Sequence, residues 1–506
     1  MEKKKEILVI VGSLLVIILS VTLAYFTVQI IGKGKEISLD SANLKITFSS
    51  GSGNISGVNI EPGWSSGIST FTVKNESNDT YKYNIVIKDL VNTFVTTGFL
   101  QYKITSTDGG YNMSAFKDIP KSTTQKDTIL AYSVEIAKGD THTYSVEFKY
   151  ENSSEVDQSD DMGKILSGIL YIEKGTEDPH GIYAQGTLGW QIMDDNLTRE
   201  TRTDFSTTFT TTNTGTLYTA TEDNTQSEKT KVYYFAGNAK NNWVKFAGFY
   251  WRIIRTNHDG SIRLLYAGTS PDTTSGYIGT SKFNSSYNDS MYVGYMYGTS
   301  GSLENNRKNT NDSTIKGVID TWYSNNLSNY SKYISTEAVY CNDRKAPDYD
   351  VSNEFYYYVY TRINAGNPTY DCEDSKDAFS GSNSEAKLTY PIGLMTADEI
   401  TYAGGYMDTS LTSPYAWYYT NSTGGSITGD AWWWLLSPGG WGGLGLDGGA
   451  ISWLVYGSSD PGDLNYNYVS YSTGVRPVIS LKTCALWTSG NGAPETPYEI
   501  STTSGC

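Results

Sequence analysis

The chain has 506 residues, enough for two to four domains with cores of their own, and a formal charge of −16. No basic stripe offsets that acidity, which excludes nucleic acid as a partner, because phosphate binding needs clustered cations. Charged residues make up only 18% while Tyr reaches 41, so the surface must be built largely from Ser, Thr, Asn, Gly and Tyr, which suits a wet extracellular setting.

The first elements concern delivery. MEKKKE gives a basic start, Ile7 to Leu19 is an apolar core interrupted by Gly12 and Ser13, and Thr22-Leu23-Ala24 offers a small-residue cleavage site. Apolar character continues to Ile31, and about 25 such residues also suffice to span a bilayer. Residues 1–31 therefore read as a signal peptide or an apolar membrane-anchor helix, with cleavage and retention both open. Three Lys before this segment and acidic mass after it place the body outside the cell, on its surface or secreted.

Residues 32–174 alternate apolar with polar at period two. Leu44–Phe48, Ser69–Val73, Lys82–Ile87, Leu130–Val134 and Tyr144–Phe148 read as strands, separated by turn residues such as Pro62-Gly63, Asp108-Gly109-Gly110 and Lys138-Gly139-Asp140. An all-β antiparallel sandwich follows. Ala24-Tyr25-Phe26-Thr27, Pro62-Gly63 leading into TFTVKN, and the late DQSDDMGKILSGILYI resemble the camelysin and biofilm-matrix-fibre family. That resemblance implies an exported β-sandwich able to self-associate into fibres. It would also suggest metallopeptidase chemistry, but no His-Glu-x-x-His is present and the chain holds only three His.

Residues 175–216 lose the pattern and read as a Thr-rich linker with one strand at most. Residues 217–506 form the next domain, an α+β unit. Val232–Phe235, Trp243–Ile254 and Ser261–Tyr266 read as strands, the last two joined by an Asp259-Gly260 hairpin turn. Ile315, Val318, Ile319 and Trp322 lie on one face of a helix behind Asp312 and Ser313, and Thr396-Ala397-Asp398-Glu399 forms the capping box of a second helix ending at Gly404-Gly405.

The stretch around which this domain is organised runs from Asp430 to Lys482. Ala431–Leu436, Ala450–Tyr456 and Val475–Leu481 read as core strands, with Trp432 to Trp434 buried. Between the last two strands, Gly457–Ser472 is almost wholly Gly, Ser, Asp, Asn and Tyr, the mixture that adaptable binding loops favour. Tyr466, Tyr468 and Tyr471 are expected as anchors, Asn465, Asn467, Asp460 and Asp463 as hydrogen-bonding groups, and Trp441 at the edge. WWWLLSP, GVRPVISL, YCNDR and LTYPIGLMTADEITYAGG are similar to a family of bacterial surface domains of C-type-lectin-like fold, the fold of formylglycine-generating enzymes and of receptor-binding proteins diversified by retroelements. The resemblance implies a scaffold presenting a glycan or protein ligand site. It does not imply oxidase chemistry, since Gly474–Val478 carries no Cys where those enzymes have theirs.

Other motifs carry less. Gly443–Gly448 fits Gly-x-Gly-x-x-Gly and Gly63–Gly67 fits Gly-x-Ser-x-Gly, but neither precedes a helix. Asp447, Asp460 and Asp463 read as turn residues; calcium would need at least six converging oxygens, and no EF-hand spacing occurs, so no cofactor or metal is expected. Four Cys in an exported chain pair most simply as Cys341–Cys372 and Cys484–Cys506, each closing a local loop. The sequence thus reads as a non-enzymatic cell-surface binding protein. A structural protein assembling through its sandwich, and a hydrolase using Asp460 and Asp463, are the competing readings.

Overall fold

Period-two patterning does what it predicts in the first of two units, Met1–Asp178. Along Thr141–Tyr150 the residues His142, Tyr144, Val146, Phe148 and Tyr150 all point into a core, while their neighbours face outward. In this computed structural model the described residues are 60–96, 98–346, 353–442 and 448–506, with the backbone of the strands Thr27–Val28, Glu36–Leu39 and Leu44–Thr47. One sheet orders Thr27–Val28, Leu166–Lys174, Tyr81–Asn92 and Ser122–Ile136; the other is built on Ser69–Asn75, Thr141–Tyr150 and Leu100–Ser106. Both contribute to a single apolar core that includes Phe71, Ile85, Ile104, Phe148 and Leu170, which makes the unit a two-sheet sandwich.

A polar thread runs through that core. The Tyr83 hydroxyl lies 2.7 Å from His142 Nδ1 and 2.5 Å from the Tyr144 hydroxyl, which in turn accepts the Tyr111 backbone N–H at 2.9 Å. Burial holds the His142 imidazole below its usual range, opposed by the nearby carboxylates of Asp108 and Asp140.

The apolar run 7–31 lies outside the described residues except for Thr27–Val28, which pairs in parallel with Ser167–Gly168. No helix among the described residues is long and apolar enough to cross a membrane.

The second unit, Pro179–Cys506, contains a 10-stranded sheet, a 6-stranded sheet and four α-helices of seven or more residues among the described residues, around one main core. The stretch expected as linker is part of it. Leu188–Asp195 is a helix whose N-cap Thr187 accepts the Trp190 N–H, and Leu188, Ile192 and Met193 enter the core. Apolar side chains at 188 and 192 fall on one face, so burial overrides the polar surroundings that read as linker. Gly186 and Leu188 also bond to the chain around Ala485–Trp487.

The Asp259-Gly260 hairpin joins Phe249–Thr256 to Ile262–Tyr266 as expected. The expected single strand Trp243–Ile254 is two, Trp243–Phe246 and Phe249–Thr256, which pair antiparallel about Ala247-Gly248. Both turn residues have positive φ, 54° and 84°, so Gly248 is the sequence signal that the aromatic run concealed. The helix Thr314–Asn326 is capped by Ser313, and the helix Ala397–Ala403 has the full Thr396/Glu399 capping box and ends at Gly404. The disulfides are Cys341–Cys372 and Cys484–Cys506, and they point to an oxidising environment.

Two kinds of buried cation hold the unit together. Arg255 pairs with Glu222 at 2.7 Å and Glu399 at 3.1 Å, and Arg263 meets Glu399 at 2.7 Å, all with side chains under 5% exposed. Burial alone would raise the Glu222 carboxyl, but Arg255 and a hydrogen bond from His258 bring it down to about 2. Arg252 and Arg476 are as deeply buried but bond to Asn242 and to backbone carbonyls and lie over Trp243, Trp417 and Trp433. Arg476 stands where the chain passes from Ser472–Gly474 in the 6-stranded sheet to Pro477–Leu481 in the 10-stranded one.

Candidate binding groove

The 6-stranded sheet orders Thr280–Lys282, Ser472–Gly474, Trp433–Trp441, Ala450–Val455 and Leu464–Tyr468, with Phe355–Tyr356 paired beside Trp433–Trp441 as the sixth strand. The segment 457–472, expected as a polar loop, therefore contains a strand of its own at the sheet edge. Its register on Ala450–Val455 turns the N–H groups of Tyr466 and Tyr468 outward, since Val469 N–H points inward to Ala450 O. Asn465 and Asn467 fold back to accept those two amides at 2.9 and 2.8 Å. Two of the outward carbonyls are also taken: Leu464 accepts from Asp408 N–H and Tyr468 from Tyr471 N–H. The repeated Asn-Tyr thus closes the edge against strand addition, the usual hazard of such a position.

The remaining expected contacts are placed as follows. Asp463 is buried, accepts the Thr409 N–H at 2.7 Å and the Asn465 amide at 3.2 Å, and has its carboxyl raised by burial. Asp460 is exposed in the preceding turn, where its carbonyl accepts from Asp463. The Tyr466 ring is half-buried among Trp453, Tyr356 and Tyr360. Tyr468 lies between Tyr287 and Tyr471. Trp441 ends the long strand that Trp433 begins, paired with Ala450 and Phe355. Asp447 lies outside the described residues.

Of these residues Tyr471 alone lines the groove that the sheet does form. It is an open cavity of about 300 Å³ bounded by Thr280, Asp430, Ala431, Trp432, Leu454 and Tyr471–Gly474. Trp433 and Trp434 are buried as expected, but Trp432 precedes the strand and is half-exposed, its ring edge-on to Tyr456 at 4.3 Å. Its carbonyl accepts the Gly474 N–H at 2.7 Å and the Thr473 hydroxyl at 2.5 Å, which fixes one wall against the floor. Tyr471 is 55% exposed and forms the other aromatic element. Hydroxyls of Thr280, Ser472 and Thr473 and the exposed carboxylate of Asp430 complete it. Volume and lining match a site for a small polar ligand: two aromatic surfaces to stack on and a few polar groups for orientation.

A second cavity, of about 20 Å³, lies among Glu222, Arg255, Asp343, Arg362, Asp398 and Glu399. It has room for about one water and belongs to the ion network rather than to a substrate. Among the described residues no group of three or more His, Cys, Asp or Glu is placed to hold a metal. The Gly63–Gly67 motif forms a short strand, Trp64–Ser65, with the Ser65 hydroxyl donating to Glu147, and no helix follows it. Comparison with family models, curated proteins and solved structures finds no match to the chain.

Proposed function

We propose that the chain is an exported, non-enzymatic cell-surface binding protein whose second unit takes a saccharide in the groove between Trp432 and Tyr471. One observation carries the reading: two aromatic rings and a set of hydroxyls converge on an open cavity of about 300 Å³. Aromatic faces bind the apolar faces of sugar rings, and hydroxyls bind their edges. On this reading the scaffold is C-type-lectin-like, a likeness resting on the order of hairpin, helices, disulfide-closed loop and terminal strands. No cofactor is invoked. A glycan array probed with the full chain, with and without chelator, tests it. Saturable binding lost in a Trp432→Ala/Tyr471→Ala variant is expected, and equal signal from both proteins would refute the assignment.

A structural role for the first unit is favoured by a separate feature. Ser122–Ile136 is 15 residues long and, among the described residues, is paired only with Tyr81–Asn92, leaving one edge open to strand addition. Light scattering that rises with concentration for the full chain, and is abolished by Pro at Thr128, would support self-association.

A further inference from the structure

We infer that the groove selects a saccharide bearing a protonated amine, with Asp430 as the residue that sets this preference. The inference rests on the saccharide reading above and adds a charge to it. Among the groove's lining residues Asp430 is the single charged side chain. Its carboxylate is exposed and makes no hydrogen bond or ion pair among the described residues. Two other carboxylates of this region are committed elsewhere, Asp463 to Thr409 and Asn465 and Asp408 to Asn465, while the exposed Asp460 lies outside the groove lining.

The backbone that carries Asp430 is held in place. Thr428 O accepts the Ala431 N–H at 3.1 Å, the Thr428 hydroxyl bonds Ala431 O at 2.9 Å, and Ser458 N–H bonds Gly429 O at 2.9 Å. Gly457 is packed so closely that a Cβ there would meet the Asp430 carbonyl oxygen at 2.7 Å, so a side chain would push this turn away. An uncommitted carboxylate on a braced turn at the rim of an aromatic groove gives an ammonium group a charge-assisted partner. An anionic sugar meets the same carboxylate, which disfavours uronic and sialic acids. A neutral sugar keeps the stacking and loses only the ion pair.

The test is calorimetric titration of the full chain, at pH 6 and low salt, with β-1,4-linked trimers of glucosamine and of glucose. The glucosamine trimer is expected to bind about tenfold tighter, the effect of one charge-assisted hydrogen bond of about 1.4 kcal/mol. That preference should shrink as salt is added and fall to within about twofold in Asp430→Asn, whose unchanged melting would show an intact fold. Equal binding of the two trimers by the native chain overturns the inference while leaving the saccharide reading intact, as does a preference that survives Asp430→Asn. Failure of both trimers to bind overturns the saccharide reading and this inference with it. Displacement of the glucosamine trimer by a Lys-rich peptide at lower concentration would assign the groove to a protein ligand instead.

Discussion

Removing the side chain of Ile192 should destabilise the second unit through a helix that lies outside the lectin-like stretch read from the sequence. Ile192 and Leu188 are each 1% exposed, on one face of the helix Leu188–Asp195, in the same core as Trp251, Ile253 and Leu264. Burying such a side chain contributes about 1.5–3 kcal/mol, and truncation adds the cavity left behind, so Ile192→Ala should cost about 3 kcal/mol. For a unit of this size a urea m-value of about 3 kcal/mol/M converts that into a midpoint shift of about 1 M. Every tryptophan except Trp64 lies in the second unit, so indole fluorescence of the full chain follows chiefly this transition. A chain beginning at residue 217 lacks Leu188, Ile192 and Met193 together. It forfeits roughly 6 kcal/mol, comparable with a domain's whole stability of about 5–15 kcal/mol, and should melt broadly or not at all. A midpoint shift below about 0.2 M for Ile192→Ala, or a sharp native-like melt of residues 217–506, would refute the claim that the helix belongs to this core.

Three further outcomes are expected. Tyr471→Ala exposes the groove's ligand to the loss of roughly 110 Å² of aromatic contact, worth about 2 kcal/mol or thirtyfold in affinity by calorimetry, with unfolding shifted by less than about 0.5 kcal/mol. The first unit should lose stability as pH falls through about 6.5. The folded state keeps His142 neutral and its titration depressed, so the unfolded chain takes up the proton first, and urea titrations followed by circular dichroism at pH 7.5 and 5 should show it. Glu399→Gln leaves Arg255 and Arg263 without a shared carboxylate in a buried site and should cost about 3–5 kcal/mol by the fluorescence transition; Glu222, depressed from 4.5 to about 2, makes its full contribution above the higher value and loses it progressively as pH falls to the lower.

What was legible in the sequence was local chemistry. Asp259-Gly260, the Thr396/Glu399 box, the Ser313 cap and the two short cysteine loops each announce themselves within a few residues or by simple pairing, and the structure has all of them. The Leu188–Asp195 helix also left a signal, Thr187 before apolar residues at 188 and 192, but flanking Thr runs outweighed it. The groove left almost none. Its walls come from Thr280, Asp430–Trp432, Leu454 and Tyr471–Gly474, segments brought together only by strand order, and no periodicity encodes strand order. The Asn-Tyr repeat was conspicuous for its composition, yet the same residues that make a binding loop also make a self-capped edge.

Arg476 gives the groove a backstop. Its guanidinium reaches Tyr266 O and Tyr418 O and lies over the Trp433 ring, one residue along from Trp432, while the chain just before it supplies the groove floor at Thr473 and Gly474. The two sheets are therefore pinned together directly behind the site, by peptide dipoles and an indole face, neither of which gains or loses a proton. Mild acidification that loosens a histidine-bearing sandwich has no handle on this joint. The groove should keep its shape across acid conditions in which the first unit has begun to yield.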